Sequence, residues 1–397
     1  MTARKLIATL SGAIFTIAVA QPALANCGGN FNQWVSGVRA EAEAAGVSKR
    51  AIDTILKGVA VDRKVLALDR KQAVFAQSFL QFSDRMVEQY RARLGRSKMK
   101  ANAKLFKQIE KEYGVPAVVI AAFWALETDF GGYLGDFNTI NALATLAHDC
   151  RRPELFRPQL IAAMRLIERG DLKKSQMRGA WAGELGQVQI LPSDYYEYGV
   201  DYDKSGKVDL FKSVPDVFAT AANFLRGLGW RPGEPWMQEV KVPKSMAWEE
   251  AGIDIRHPRS IWKRWGVTLA NGKALPSDNL ESSLLLPMGR KGPAFLVYPN
   301  FHIYLEWNKS LVYSTTAAFL STRLAGAPKV TRGNAPDILS VDEAKTLQRR
   351  LQARGHDVGK VDGIIGAKTR AATRFEQLAA GMPADAWPTR ELLRQLR

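Results

Sequence analysis

The sequence predicts a mainly α-helical protein with a loop-rich, short-strand portion late in the chain and a small helical unit appended. Three observations predict it. Apolar residues recur at spacings of three and four through most of the N-terminal half, as in F-N-Q-W-V-S-G-V and R-A-I-D-T-I-L. From Pro232 that period gives way to short runs with Pro and Gly, such as E-V-K-V-P and L-L-L-P. A stretch of small residues and Pro, L-A-G-A-P-K-V-T-R-G-N-A-P-D, then separates the C-terminal piece from the rest. With 397 residues and 46% apolar content, the chain can bury a real core in one large or two to three ordinary domains.

Taken in order, the chain opens with Arg4 and Lys5 ahead of an apolar run, Leu6 to Ala20. Ala23 and Ala25 follow in an A-x-A arrangement, so residues 1–25 read as a cleaved secretory signal peptide. The apolar run is too short to span a membrane comfortably, and no other stretch is long and apolar enough. The net charge of +17 suits an anionic polymer or surface. Export excludes a nucleic-acid partner and leaves an acidic cell-wall polymer. Cys27 lies just past the cut, but Asn26 before it is not the small residue a lipidation signal needs. Cys27 and Cys150 are the only cysteines. In an oxidising compartment they are most simply a disulfide, the alternative being two free buried thiols.

Helices are expected from Phe31 to Leu94, then a basic polar stretch from Gly95 to Lys104, then a helix ending at Gly114. Val115 to Gly135, V-P-A-V-V-I-A-A-F-W-A-L-E-T-D-F-G-G-Y-L-G, organises the rest. It carries no charge between Pro116 and Leu126, so the helix it forms is buried on most faces. Glu127 is the one carboxylate at its end. An acid beside Phe123 and Trp124 is poorly solvated, which raises its pKa and equips it to donate a proton near neutral pH. Further helices are expected over Asn138–Asp149, Glu154–Gly170, Val214–Trp230, Asp254–Trp265 and Ser310–Arg323. Residues 326–337 read as a linker, and 338–397 as a small domain of about three helices. Most of the six tryptophans from Trp230 to Trp307 read as core.

E-T-D-F-G-G-Y-L-G, N-A-L-A-T-L-A-H-D, R-R-P-E-L-F, G-A-W-A-G-E-L-G-Q-V-Q-I-L-P-S and A-A-N-F-L fall in order across 26–325. This portion resembles the lytic murein transglycosylases of the membrane-bound B type, glycoside hydrolase family 103. L-Q-R-R-L with V-D-G-I-I-G-A-K-T-R-A-A-T-R-F resembles the peptidoglycan-binding type 1 domain. The resemblance implies a lysozyme-like helical catalytic domain and a periplasmic enzyme, expected to be a monomer. Its partner would be peptidoglycan glycan strands. It would cleave the MurNAc–GlcNAc β-1,4 bond and leave 1,6-anhydro-MurNAc ends. The alternatives are a hydrolytic muramidase and a catalytically decayed peptidoglycan-binding scaffold.

On this resemblance Glu127 is the catalytic acid and base. Gln189, Arg151, Arg152, Asn300 and Asn308 match substrate-binding positions, and Tyr298 a stacking platform. The chemistry needs no cofactor. D-Y-D-K-S-G-K-V-D resembles half of a calcium loop, with Asp201, Asp203, Ser205 and Lys207 at ligand positions and Asp216 as the later acid. Calcium there would be structural. Three positions depart from the family pattern. Ala180 stands for Ser and Phe224 for Tyr, each losing a hydroxyl. Glu184 stands for a small residue and adds a carboxylate beside the site; solvent exposure is the expectation for it.

Overall fold

The computed structural model describes residues 27–70, 77–87, 89–334 and 338–397. The signal-peptide segment lies outside them. The helix Ala117–Thr128 is the centre of the molecule. Nine of its residues are buried, Val119 to Leu126 without a break and Thr128. A helix without a polar face can only sit inside others. The helices Gln89–Ala101, Ala103–Tyr113, Val214–Gly227 and Leu311–Leu324 pack around it. It stops where Asp129 and Phe130 turn left-handed at φ 50° and 63° and Gly131 continues the turn.

A second layer holds Phe31–Ala44 and Lys49–Leu56 against the antiparallel pair Thr139–His148 and Pro153–Arg169. The disulfide forms between Cys27 and Cys150, closing a separation of 123 residues. Gly28 N–H donates to His148 O beside it at 2.7 Å.

Two expectations about helices change. Gln89–Ala101 runs straight through Gly95, where a break was expected. A Cβ at Gly95 would lie 2.7 Å from Leu324, so this glycine is a point of close helix approach. The helix expected over Asp254–Trp265 shrinks to Arg259–Arg264. Pro258 restricts the residue before it to extended backbone, and His257 pairs instead with Ser282.

The short strands form one five-stranded antiparallel sheet. Its order is His257–Pro258, Glu281–Leu285, Phe295–Val297, Met237–Lys241, Thr268–Leu269. Val297 sits opposite both Met237 and Ser283. Trp262, Leu284, Leu296 and Tyr298 make a separate small core on this subdomain.

The C-terminal helices are Val341–Ala353, Ala367–Ala379 and Arg390–Gln395, closed around Leu347, Leu351 and Leu392. This unit is docked on the sheet subdomain. Arg370 is buried and donates to the carbonyls of Leu286 and Pro287, and Arg290 N–H donates to Asp385 at 2.9 Å. Trp387 belongs to the main core. The segment expected as a free linker is strapped down too. Thr331 N–H donates to Glu239 at 2.7 Å, Arg332 pairs with Asp84 at 2.8 Å, and Asn334 N–H donates to Lys291 O at 2.8 Å.

Candidate active site

The end of the buried helix delivers Glu127 into a pocket of aromatic rings. Trp307 Nε1 donates to Glu127 Oε1 at 3.1 Å, and the Tyr313 hydroxyl donates to the same oxygen. Trp307 lies flat on Phe123, centroids 4.1 Å apart, with Phe224 on another side at 5.2 Å. Three effects compete for the Glu127 proton. Burial favours the neutral acid, while the two donors favour the anion. Burial wins, and the nearby Glu184 adds a smaller push, so the carboxyl is raised to about 7. Tyr313 is pushed well above its usual range by burial and by Glu127, so it stays a donor throughout.

The loop after the helix is fixed by side chains that pattern reading passed over. Thr128 donates its hydroxyl to Gln187 O at 2.6 Å and accepts Gly131 N–H at 2.9 Å. Gln187 accepts from Trp124 Nε1 at 2.8 Å. Gly179 explains the glycine punctuation of G-A-W-A-G. A Cβ there would stand 1.9 Å from Glu184 O, and a Cβ at Gly135 would stand 2.3 Å from Gly179 O. The short strands Phe137–Asn138 and Arg178–Gly179 pair at this crossing.

Gln189 sits in a left-handed turn at φ 46° beside the Leu185–Ile190 bridge. Its Nε2 donates to Leu134 O at 3.1 Å and Gly186 O at 2.7 Å. The turn is thereby tied to the loop that follows Glu127. Asn308 ends the helix Pro299–Trp307, accepts Ser310 N–H at 3.0 Å, and lines a cleft pocket of about 390 Å³. Arg152 and Glu184 line the same pocket, as do Ile364 to Gly366 of the C-terminal unit. Neighbours in the chain tie this pocket to the Glu127 carboxyl: Asn308 follows Trp307, and Val312 precedes Tyr313.

Four sequence assignments change here. Tyr298 is 1% exposed, its hydroxyl donating to Gln238 at 3.1 Å, so no sugar ring can stack on it. Asn300 is 0% exposed and spends its amide on Arg231 and Glu234 backbone groups. Both were placed by motif position, and both serve the junction of the sheet with the helical body. Arg151 and Arg152 are claimed by Asp69, which is itself 1% exposed; only Arg152 of the two lines the pocket. Glu184, expected in solvent, has its Oε2 wholly buried and its carboxyl raised, chiefly by burial. Trp307 and Tyr313 are the residues that sequence reading missed.

Asp201, Asp203 and Asp216 bring carboxylate oxygens within 4.8 Å of one another. The loop is wrapped inward: Ser205 and Gly206 N–H donate to Asp201, and Tyr202, Asp203 and Asp209 N–H donate to Asp216. Asp216 is raised by burial despite those bonds, and the charge of Asp203 adds to it. Three converging acids under mutual repulsion fit an oxygen-loving dication. Ser205 and Lys207 turn toward each other, Ser205 Oγ donating to Lys207 O at 3.2 Å.

Comparison with known proteins gives the family and the fold. The family described as transglycosylase SLT domain matches residues 30–322, and the putative peptidoglycan binding domain matches residues 340–396. Membrane-bound lytic murein transglycosylase B of Escherichia coli (strain K12) is 27% identical over 203 residues, 51% of this chain and 55% of that protein. The similarity thus spans about half the length of that relative. SltB3 from Pseudomonas aeruginosa, solved in complex with NAG-anhNAM-pentapeptide, superposes with a TM-score of 0.86 at 39% identity, covering 93% of this chain and 100% of that one. The Escherichia coli lytic transglycosylase Slt35, solved in complex with calcium, gives a TM-score of 0.63 at 22% identity over 77% of this chain and 98% of that one, and shares the fold.

Proposed function

The chain belongs to the transglycosylase SLT domain family, and from that premise we propose that it cleaves the MurNAc–GlcNAc β-1,4 bond of peptidoglycan and leaves 1,6-anhydro-MurNAc ends. The observation that carries this reading is Glu127: a half-buried carboxyl raised to about 7, held by two donors on one oxygen. Such a group can do both halves of the reaction. As the acid it gives its proton to the glycosidic oxygen, and the C1–O bond breaks. The sugar's own 2-acetamido carbonyl stabilises the positive charge at C1. Tyr313 and Trp307 then stabilise the carboxylate that remains. As the base, Glu127 takes the proton of the C6 hydroxyl while that oxygen closes onto C1. No water is consumed, and Glu127 ends protonated, ready for the next cycle.

A hydrolase of the ordinary kind needs a second carboxylate to activate water or attack C1. Glu184 is the nearest candidate, and its Oε2 is shut away from solvent. That favours the internal attack. A decayed scaffold would not keep a costly buried acid with both donors in place. Mass spectrometry of digested sacculi separates the readings: anhydro ends support this one, reducing ends the muramidase, and undigested sacculi the scaffold.

The finer assignments belong to the same proposal. Asn308, Arg152 and Gln189 border the glycan, Gln189 by shaping the turn. The C-terminal domain holds the wall polymer. The leader sends the protein to the periplasm, and the protein works as a monomer. Asp201, Asp203 and Asp216, with Ser205 and the Lys207 carbonyl, would hold a structural calcium that braces the Asp201–Asp216 segment and takes no part in the chemistry.

A further inference from the structure

A row of cations lies outside the cleft, on the consecutive helices Gln89–Ala101 and Ala103–Tyr113. From Gln89 to Ile109 the sequence carries seven Lys and Arg and no acid. Two of the seven are spent on the protein. Arg91 pairs with Asp129 at 3.1 Å, and Lys98 Nζ stands 5.8 Å from the centroid of the Trp124 ring. The other five, Arg93, Arg96, Lys100, Lys104 and Lys107, are exposed, and Lys111 continues them. Their steps of three and four put three cations on one face of each helix. Arg96, Lys100 and Lys107 border one hollow of about 380 Å³, which joins the two faces. None of the six forms an ion pair among the described residues, and only Arg96 is held, donating to Arg323 O at 3.3 Å. Like charges at these spacings destabilise a helix, and Glu110 is the one acid on the hollow. Arg323 is lowered by burial and then by the charge of Arg96. The row is a standing cost until an anion comes to it.

Two features say which anion. Tyr90 stands three residues before Arg93, on the same face, and is 54% exposed. An exposed Tyr beside Lys and Arg on a helical face is the make-up of a surface that rests on a lipid leaflet. The row also shares no residue with the cleft pocket or with residues 340–396, the two places assigned to the wall above. We propose that the outer faces of Gln89–Ala101 and Ala103–Tyr113 bind the anionic phospholipid headgroups of a membrane surface. The contact is peripheral and reversible, each cation near an anionic leaflet adding about fivefold in affinity. Cys27 is closed in the disulfide with Cys150, so no acyl chain at that thiol supplies the hold. The proposal stands apart from the wall-glycan reading and does not need it.

The test uses the exported protein, cut after Ala25 so that the leader cannot hold lipid. The probes are vesicles of phosphatidylglycerol and phosphatidylcholine in equal parts, and vesicles of phosphatidylcholine alone. The parent is expected to sediment with the first at low salt, to leave them at high salt, and to ignore the second. Lys100→Gln, Lys104→Gln and Lys107→Gln together are expected to weaken binding to the anionic vesicles about a hundredfold. Their Tm should not fall, since repulsion is relieved, so a loss of binding cannot be laid to misfolding. Lys49→Gln, Lys64→Gln and Lys244→Gln together remove the same charge from exposed positions elsewhere and should keep most of the binding. Equal binding of the parent to both vesicles overturns the proposal. So does an equal loss in the two triple variants, which would make net charge the cause, and so does unchanged binding by the first. Sedimentation with sacculi, read in a Glu127→Gln background, reports the rival partner. If the first triple variant loses sacculi and keeps the anionic vesicles, the row is a wall contact and the membrane proposal falls.

Discussion

Glu127 sets the pH behaviour of the molecule. On the proposed mechanism its acid form starts the reaction, so kcat/KM should fall as pH rises through about 7. Tyr313→Phe removes a donor that favours the anion, so the carboxyl rises further and the alkaline limb moves to higher pH. Loss of the same donor slows turnover, because the carboxylate between the two steps is less well held. A pH–rate series on both proteins checks this, and an unmoved limb would sever Tyr313 from the site. Stability follows with a worked sign. The folded state holds the Glu127 proton up to about 7, while an ordinary Glu releases it near 4.5. Stability therefore falls as pH rises between those values and levels off above, a cost on the order of 3 kcal/mol. Glu127→Gln should abolish cleavage, recover that amount at pH 8 and change nothing at pH 4, as denaturant unfolding at the two pH values would record. The uncharged run before Glu127 made its burial legible. Nothing local marks Trp307 or Tyr313, whose importance comes from a contact 180 and 186 residues away.

Elements were legible in proportion to how local their causes are. The amphipathic helices follow from periodicity, and the central helix from the lack of any polar face. Gly95 misled because a glycine that breaks a helix and one that lets two helices touch look alike in sequence. The strands could be expected but not ordered, since pairing such as Met237 with Val297 depends on a return from sixty residues on. The crossing at Gly179 gives a sharp test. Gly179→Ala drives a methyl into Glu184 O and should cost about 3 kcal/mol or more, with the catalytic loop displaced; a mild loss would mean that the two strands can part freely. The calcium loop offers another. If the Asp201–Asp216 segment holds the ion, chelation lowers Tm and added calcium restores it. Identical melting curves under both conditions would reject the site. Reducing the Cys27–Cys150 bridge removes a loop constraint worth up to about 5 kcal/mol, read as a lower midpoint in denaturant with reductant.

For the whole molecule, composition suggests two units joined by a small-residue stretch, and gives no sign of their docking. The small-residue stretch looks like a tether because its sequence lacks any period. Its anchoring rests on backbone groups meeting Glu239 and Lys291 and on the Arg332–Asp84 pair. Deleting residues 338–397 should weaken sedimentation with sacculi. It should also raise KM for soluble glycan strands, because Ile364 to Gly366 form part of the cleft wall. A truncated protein with unchanged KM would show that the wall contact is idle.

The strapped linker and the buried Arg370 contact have a geometric consequence. A free chain of that length would let an anchored cutter roam over about 20 Å. If the C-terminal unit grips the polymer as proposed, the place of grip and the place of cutting stand at one separation. An enzyme so built would act as a ruler along the strand. Fragments released from long glycans should cluster at a preferred length, and a flexible insertion after Gly326 should blur that length without changing the chemistry of the ends.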